Sequence, residues 1–509
     1  MYYKNLGNYF DETVKKYKAK IAIDISSQKI TFTQLKIESD KIVNYFIINN
    51  ISNNDSICLC LKKGLSSFAI IIACLRLGIN YCYLDRLSPK KRLHKIINII
   101  KPKIIITDKN LKLKTKYKQI EVNNLKNKTK SKNIGYHKEN IEPNGNTVAY
   151  TMFTSGSTGE PKGVAINHGQ LLNFTMWSKK EFLIGKKSIS TNLNSLFFDN
   201  SVFDIYGCLF NGSTMVSFHR NEILNGAELL KKVSLKKINI WFSVPSLLIY
   251  YLNLNLLTKI KIKNIKKIIF GGEGFPKLNL LKLFKLKSTK SELINVYGPT
   301  ECTCICSAYK ITKFDFQKTE MTKFAPLGKK LIENFYFKIV NDKLQEVSLG
   351  SSGELLIGGP NVGCGYFGNK IETGKKFIQN PSHSNYRDIM YLSGDIVKQD
   401  KKTNYIYFLS RKDRQIKFMG HRIELDEIEL AINKIKDVKQ NVTCFGKING
   451  RYEIVSWVEH KTTLKKIIKN LNLLLPSYMI PKKIIELKKI PKNSNGKLDR
   501  KVLQKHYYD

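Results

Sequence analysis

Five short apolar runs punctuate the first three hundred residues: Ile57 to Leu61, KIIIT at 103–107, TVAYTMFTSG at 147–156, KIIFGGE at 267–273 and ELINVYG at 292–298. A strand with one wet face alternates apolar and polar residues, and these runs do not. They predict strands covered on both faces, with helices in the long intervals between them. That is the pattern of an α/β sheet wound on both sides.

From about residue 320 the pattern changes to strand and turn signals, in NFYFKIVNDKLQEV, GELLIGG and NYIYFLS, which predict a β-rich lobe. Beyond SRKDRQIK at 410–417 an amphipathic helix, LDEIELAINKI, precedes further strands and a short helix. A chain of 509 residues exceeds what one small core organises. The expected fold is α/β: a large N-terminal domain over 1–412, combining sheets with the β-rich lobe, and a small α+β domain over 413–509. The lysine-rich stretch 111–133 is expected to be a weakly packed surface segment.

The formal net charge of +45 invites a nucleic-acid reading. Composition argues against it. Only ten of the 86 basic residues are arginine, and lysine, isoleucine and asparagine are enriched together, as an AT-biased coding sequence would produce. Charge spread over the whole chain makes no binding stripe, so no nucleic-acid partner is expected, although such a surface would attract an acidic protein. The ten cysteines form no disulfide framework. Cys302, Cys304 and Cys306 alternate as on one face of a strand, without CxxC or a histidine companion, and are expected to be buried thiols rather than zinc ligands. The N-terminus lacks a signal-peptide core, and no run reaches the ~18 apolar residues of a membrane span. A cytoplasmic monomer is expected.

The run TVAYTMF ends in TSGSTGEPKGV at 154–164. Glycines 156, 159 and 163 allow close approach of backbone to ligand, and Thr154, Ser155, Ser157 and Thr158 supply hydroxyl donors. With Lys162 this is a phosphate-wrapping loop. It is not the Walker pattern, which needs GxxxxGK[ST].

Six motifs follow in order: FFDNSVFDIY (197–206), NVYGPTE (295–301), GELLIGGPNVGCGY (353–366), YLSGDIV (391–397), SRKDRQIKFMGHRIELDEIE (410–429) and PKNSNGKLDR (491–500). Over nearly the whole chain they resemble the adenylate-forming superfamily of acyl-CoA synthetases, luciferases and amino-acid adenylation domains. The resemblance implies ATP and Mg2+ as cofactors, a carboxylate joined to ATP with release of pyrophosphate, and a C-terminal domain that turns about Asp413 before thioester formation. It places Thr154, Ser155, Gly156, Ser157, Thr158, Gly159 and Lys162 around the outgoing phosphates. Gly272, Glu273, Asn295, Tyr297, Gly298 and Asp395 would complete the ATP site, with Tyr297 against adenine and Asp395 accepting from the ribose hydroxyls. Glu301 matches the magnesium ligand. Thr300, Arg411 and Lys497 match the catalytic groups, Lys497 contacting both the substrate carboxylate and the α-phosphate.

Asp199 resembles the aspartate that pairs with the α-ammonium in amino-acid-activating relatives, since a carboxylate in such a pocket is useful when its counter-ion arrives with the substrate. The matching pocket positions are Asn200, Phe203, Phe242, Ile269, Gly271, Val296, Cys304 and Ile305. One amide and no charge favour a neutral, aliphatic amino acid. No serine-centred attachment motif follows Lys497, so the acceptor is expected to be the phosphopantetheine thiol of a separate, acidic carrier protein. Two alternatives stand beside this reading: a D-alanine carrier-protein ligase of lipoteichoic acid synthesis, against which Gly271 replaces that group's usual cysteine, and an acyl- or aryl-CoA synthetase. Cys364 and Ser410 also depart from the superfamily pattern, where a basic residue and a glycine are usual.

Overall fold

The computed structural model describes residues 3–108, 113–127, 142–156, 158–258, 262–317, 323–329, 335–448, 451–493 and 498–508. The chain forms two compact units. The first comprises Met1–Leu84, Ile100–Met152 and Gly163–Lys412, and the second Asp85–Ile99, Phe153–Lys162 and Asp413–Asp509. The second unit thus takes in two segments, one of them the glycine loop, that a boundary at 412 leaves with the N-terminal domain.

In the first unit an eight-stranded sheet has the spatial order Ser307–Lys310, Glu292–Tyr297, Lys267–Gly271, Ile240–Ser243, Ile189–Asn192, Thr214–Ser217, Ile21–Ile25, Gln28–Thr31. Its inner pairs are parallel and the pair at each edge is antiparallel. A seven-stranded sheet has the order Gly365–Tyr366, Lys162–Asn167, Val148–Thr154, Asn80–Tyr83, Ser56–Cys60, Ile104–Thr107, Gln119–Glu121. Every residue of Ile104–Thr107 and of Asn80–Tyr83 is buried, as strands covered on both faces require. The helix Leu65–Leu77 is buried at every position from Ser67 onward: its run FAIIIACL has no face to give to water, and the buried Arg76 is paired with Asp40. The β-rich lobe is a five-stranded antiparallel sheet of Tyr336–Val340, Ser352–Gly358, Ile389–Gln399, Phe377–Gln379 and Ile406–Arg411.

The second unit holds the hairpin Gln415–Phe418/His421–Glu424 and a three-stranded sheet of Val438–Ile448, Arg451–His460 and Lys483–Glu486. The amphipathic helix Leu425–Asn433 buries Leu425, Ile428, Ala431 and Ile432 in its core. Among the described residues, no helix is long and apolar enough to cross a membrane.

Two expectations change. The lysine-rich stretch is not merely surface: Gln119–Glu121 pairs in parallel with Ile104–Thr107, and Leu113, Ile120 and Leu125 are buried, so three apolar residues outweigh the charged neighbours. The part of it at 128–133 lies outside the described residues. Cys302, Cys304 and Cys306 are all buried, as expected of packed thiols, but not on a strand. Thr300–Cys302 is a turn of 3-10 helix, and Thr303 and Cys304 take positive φ of 57° and 74°. Pro299 precedes the turn, and Gly298 permits it, since a Cβ there would stand 2.3 Å from the Cys304 carbonyl oxygen.

Candidate active site

Strand ends of the first unit place most of the predicted residues. Glu292–Tyr297 delivers Val296 and Tyr297, then Thr300 and Glu301 on the turn that follows. Thr300 Oγ1 donates to Asp199 Oδ2 at 2.5 Å, so the residue matched to phosphate and the residue matched to the α-ammonium touch. Asp199 precedes the turn Asn200–Val202, which runs into a π-helical stretch, Phe203–Cys208. The wider π turn is often found at functional sites.

The pocket positions lie together. Phe203 and Phe242 are buried with rings edge to face, centroids 4.8 Å apart, and Phe182 closes on Phe203 at 5.1 Å. The Asn200 amide lies against Gly272, while Ile269, Val296, Cys304 and Ile305 belong to the same apolar cluster as the two rings. Burial, with Asp199 and Asp204 nearby, holds the Cys304 thiol well above its ordinary range, so it stays protonated. Gly271 pairs with Val296, and a Cβ at 271 would stand 2.4 Å from the Val296 carbonyl oxygen. Glycine here is required by backbone approach, and it adds no wall to the pocket.

Asp395 is 2% exposed and doubly held. Arg411 Nη1 donates to its Oδ1 at 2.7 Å and to the Ser393 carbonyl at 2.7 Å, while Tyr297 Oη donates to Oδ2 at 2.5 Å. Burial, and then the carboxylate itself, push the Tyr297 phenol far above its ordinary range, which keeps it a donor. Glu301 is fully buried, with Tyr366 Oη donating to Oε1 at 2.9 Å. Two predicted ATP-site residues have structural partners: Glu273 accepts from the Ser246 N–H at the start of the helix Pro245–Asn253, and Asn295 donates to the Pro326 carbonyl.

Sequence reading missed the support beneath these groups. Tyr366 closes GELLIGGPNVGCGY, a motif that could have marked it. Asp204, inside the motif FFDNSVFDIY, is also fully buried, and its Oδ2 accepts from Asn192 Nδ2 at 2.8 Å and Asn194 Nδ2 at 3.1 Å. Lys63 Nζ donates to the carbonyls of the same two asparagines. Burial raises the Asp204 carboxyl and lowers the Lys63 ammonium, and together they fix the residues that lead to Asp199.

In the second unit, Gly159 N–H donates to the Gly156 carbonyl at 2.9 Å, and a Cβ on Gly156 would stand 2.2 Å from the Glu160 carbonyl oxygen. Thr158 is exposed, Thr154 Oγ1 donates to the Lys162 carbonyl at 3.5 Å, and Ser155 Oγ donates to the Arg422 carbonyl at 2.7 Å. Asp413 is exposed and its Oδ1 accepts from the Gln415 N–H. Arg414 spreads its fork over Asp426, Glu429 and the Thr443 carbonyl, geometry a lysine could not reproduce. Ser157 and Lys497 lie outside the described residues.

The residues matched to nucleotide and to substrate thus meet at the strand ends of the first unit. The family of AMP-binding enzymes matches residues 10–367, and the chain belongs to it; it is an adenylate-forming enzyme. The chain is 29% identical to gramicidin S synthase 2 of Brevibacillus brevis over 98% of its own length, but spans only 11% of that protein. It is 29% identical to D-alanine–D-alanyl carrier protein ligase of Bacillus licheniformis, covering 97% of this chain and 98% of the relative. The Vibrio cholerae adenylation domain AlmE, solved with glycyl-adenosine-5'-phosphate, shares the fold with a TM-score of 0.82 at 19% identity, covering 99% of this chain and 98% of that one.

Proposed function

We propose that this chain activates a neutral, aliphatic amino acid as its aminoacyl adenylate and passes it to the phosphopantetheine thiol of a separate, acidic carrier protein. The observation that carries the reading is Asp199, a half-buried carboxylate that accepts from the Thr300 hydroxyl, four residues before the buried Phe203, whose ring packs on Phe242. An α-ammonium would form an ion pair with this carboxylate. The Phe203–Phe242 contact supports a small side chain.

In this reading Asp395, held by Tyr297 and Arg411, accepts from the ribose hydroxyls. Lys497 stabilises charge on the carboxylate and α-phosphate as the bond between them forms. The loop from Thr154 to Lys162 receives the leaving phosphates. Glu301, a hard oxygen ligand whose carboxylate Tyr366 orients, would hold Mg2+, which when bound would neutralise phosphate charge. A second reading, activation of D-alanine for a carrier protein, is favoured by the match to the D-alanine ligase over nearly the full length of both chains.

Amino-acid-dependent ATP–pyrophosphate exchange, run over the common L-amino acids, glycine and D-alanine, tests this. One small neutral amino acid should support exchange, with activity lost in Lys497→Ala and in Asp199→Ala. Exchange only with a fatty or aryl acid would replace the proposal with a coenzyme A ligase.

A further inference from the structure

The second unit joins three segments distant in sequence: the helix Lys90–Ile100 with the residues before it, the glycine loop, and the chain after Asp413. Ser155, 4% exposed, spends its hydroxyl proton on the Arg422 carbonyl at 2.7 Å. A hydroxyl has one proton to donate, so this serine cannot also donate to a phosphate. Leu430 lies over Gly159, where a Cβ would stand 3.4 Å from Leu430 Cδ1. Lys95 Nζ reaches Glu160 Oε1 at 2.7 Å and the Gly159 carbonyl at 3.4 Å.

Among these contacts is an ion pair withdrawn from water: Arg92 Nη1 to Glu427 Oε1, 2.5 Å, with side chains 8% and 4% exposed. Glu427 Oε2 is buried with no partner among the described residues. A cavity of about 110 Å³, lined in part by Arg92, Glu427, Lys95, Pro161 and Leu430, adjoins the pair. A buried pair with one acceptor unfilled and loose packing beside it is a poor source of stability. It suits a contact that specifies one arrangement and can separate.

We infer that Arg92 is a positioning residue for the transfer half-reaction. The arrangement it holds, with Ser155 on Arg422, is open to the loop only when that hydroxyl is off phosphate. It therefore belongs to the stage after pyrophosphate has left, when the acyl adenylate meets the thiol. Arg92 touches no reacting atom. It acts by holding Glu427, and through the helix Leu425–Asn433 it holds the hairpin that carries Arg422. This rests on the two-step reading proposed above.

Pyrophosphate exchange reads the first half-reaction alone, and acylation of pantetheine, used as the probe thiol, reads the second. Arg92→Met and Glu427→Gln should keep exchange within about twofold and slow transfer at least about tenfold, with Arg92→Lys recovering part of the loss. The double variant Arg92→Met/Glu427→Leu strands no charge, and should melt at or above the wild-type temperature while still transferring slowly. Equal loss of both half-reactions in the single variants, or transfer unchanged in all of them, would overturn the inference. If no amino acid supports exchange, the amino-acid reading falls, and the ratio of the two half-reactions is read with the carboxylic acid that does.

Discussion

The carboxylates of the first unit and the glycine loop of the second both match nucleotide-binding positions, yet they are held in different ways. Asp395 and Glu301 are buried and receive donors from Arg411, Tyr297 and Tyr366. The loop turns on the Gly159–Gly156 backbone hydrogen bond, exposes Thr158, and is tied by the Ser155 hydroxyl and by Lys95–Glu160, side chains 38% and 57% exposed. Buried charge with full hydrogen bonding holds one geometry, because any other leaves a charge unpaired in low dielectric. Contacts that water can replace at little cost leave a segment free to exchange partners. In the proposed reaction, the first construction suits a group that must be in place before the nucleotide arrives, and the second suits one that must let phosphates go.

Substitutions can break this contrast. The largest effect is expected from Asp395→Ala, which takes the buried carboxylate away from the Arg411 guanidinium and should cost about 3–5 kcal/mol in denaturant unfolding, along with pyrophosphate exchange. Next is acid lability through His168, buried and neutral, whose Nδ1 accepts from the Leu6 N–H and whose pKa burial lowers to about 3. Above the unfolded value of 6.5 both states are neutral and the fold is unaffected. As pH falls from 6.5 toward 3, the unfolded chain takes up a proton that the fold excludes, and stability drops by about 1.4 kcal/mol per pH unit. His168→Gln should flatten melting temperature against pH across that window.

Gly271→Cys, which restores the residue usual in D-alanine ligases, should destabilise by about 1–3 kcal/mol through overlap with Val296. An unchanged melting temperature would show that the strand pair can open. The smallest effect is expected from Ser155→Ala, about 0.5–1.5 kcal/mol at most, since it removes one hydrogen bond from a loop that is weakly tied. A loss as large as that of Asp395→Ala would erase the contrast between the two regions.

The strands and the site groups were legible to different degrees. Runs such as KIIIT carry their burial in every residue, and Ile104–Thr107 is a strand buried throughout. Gln119–Glu121 was not legible, because a short edge strand among lysines is decided by its pairing with Ile104–Thr107 rather than by its own pattern. Alternating cysteines suggest a strand, but the chain turns after Pro299 and brings the Cys304 carbonyl back onto Gly298, an approach six residues along the chain that local alternation cannot register. Asp395 and Glu301 stood out through their motifs. Their supporters did not: Tyr366 is 65 residues from Glu301, and Lys63 is 129 residues from Asn192.

By itself the sequence determined the elements and the chemistry on offer: apolar runs that must be covered on both faces, glycines where backbone must approach, and hydroxyls, carboxylates and a lysine in an order that resembles one superfamily. These depend on residue type and near neighbours, which a linear chain displays. Only the tertiary structure decided that Thr300 donates to Asp199, that Tyr297 and Arg411 share Asp395, and that the Ser155 hydroxyl rests on Arg422, 267 residues away. A hydrogen bond depends on distance and direction, and across hundreds of residues the packing of sheets and helices sets both.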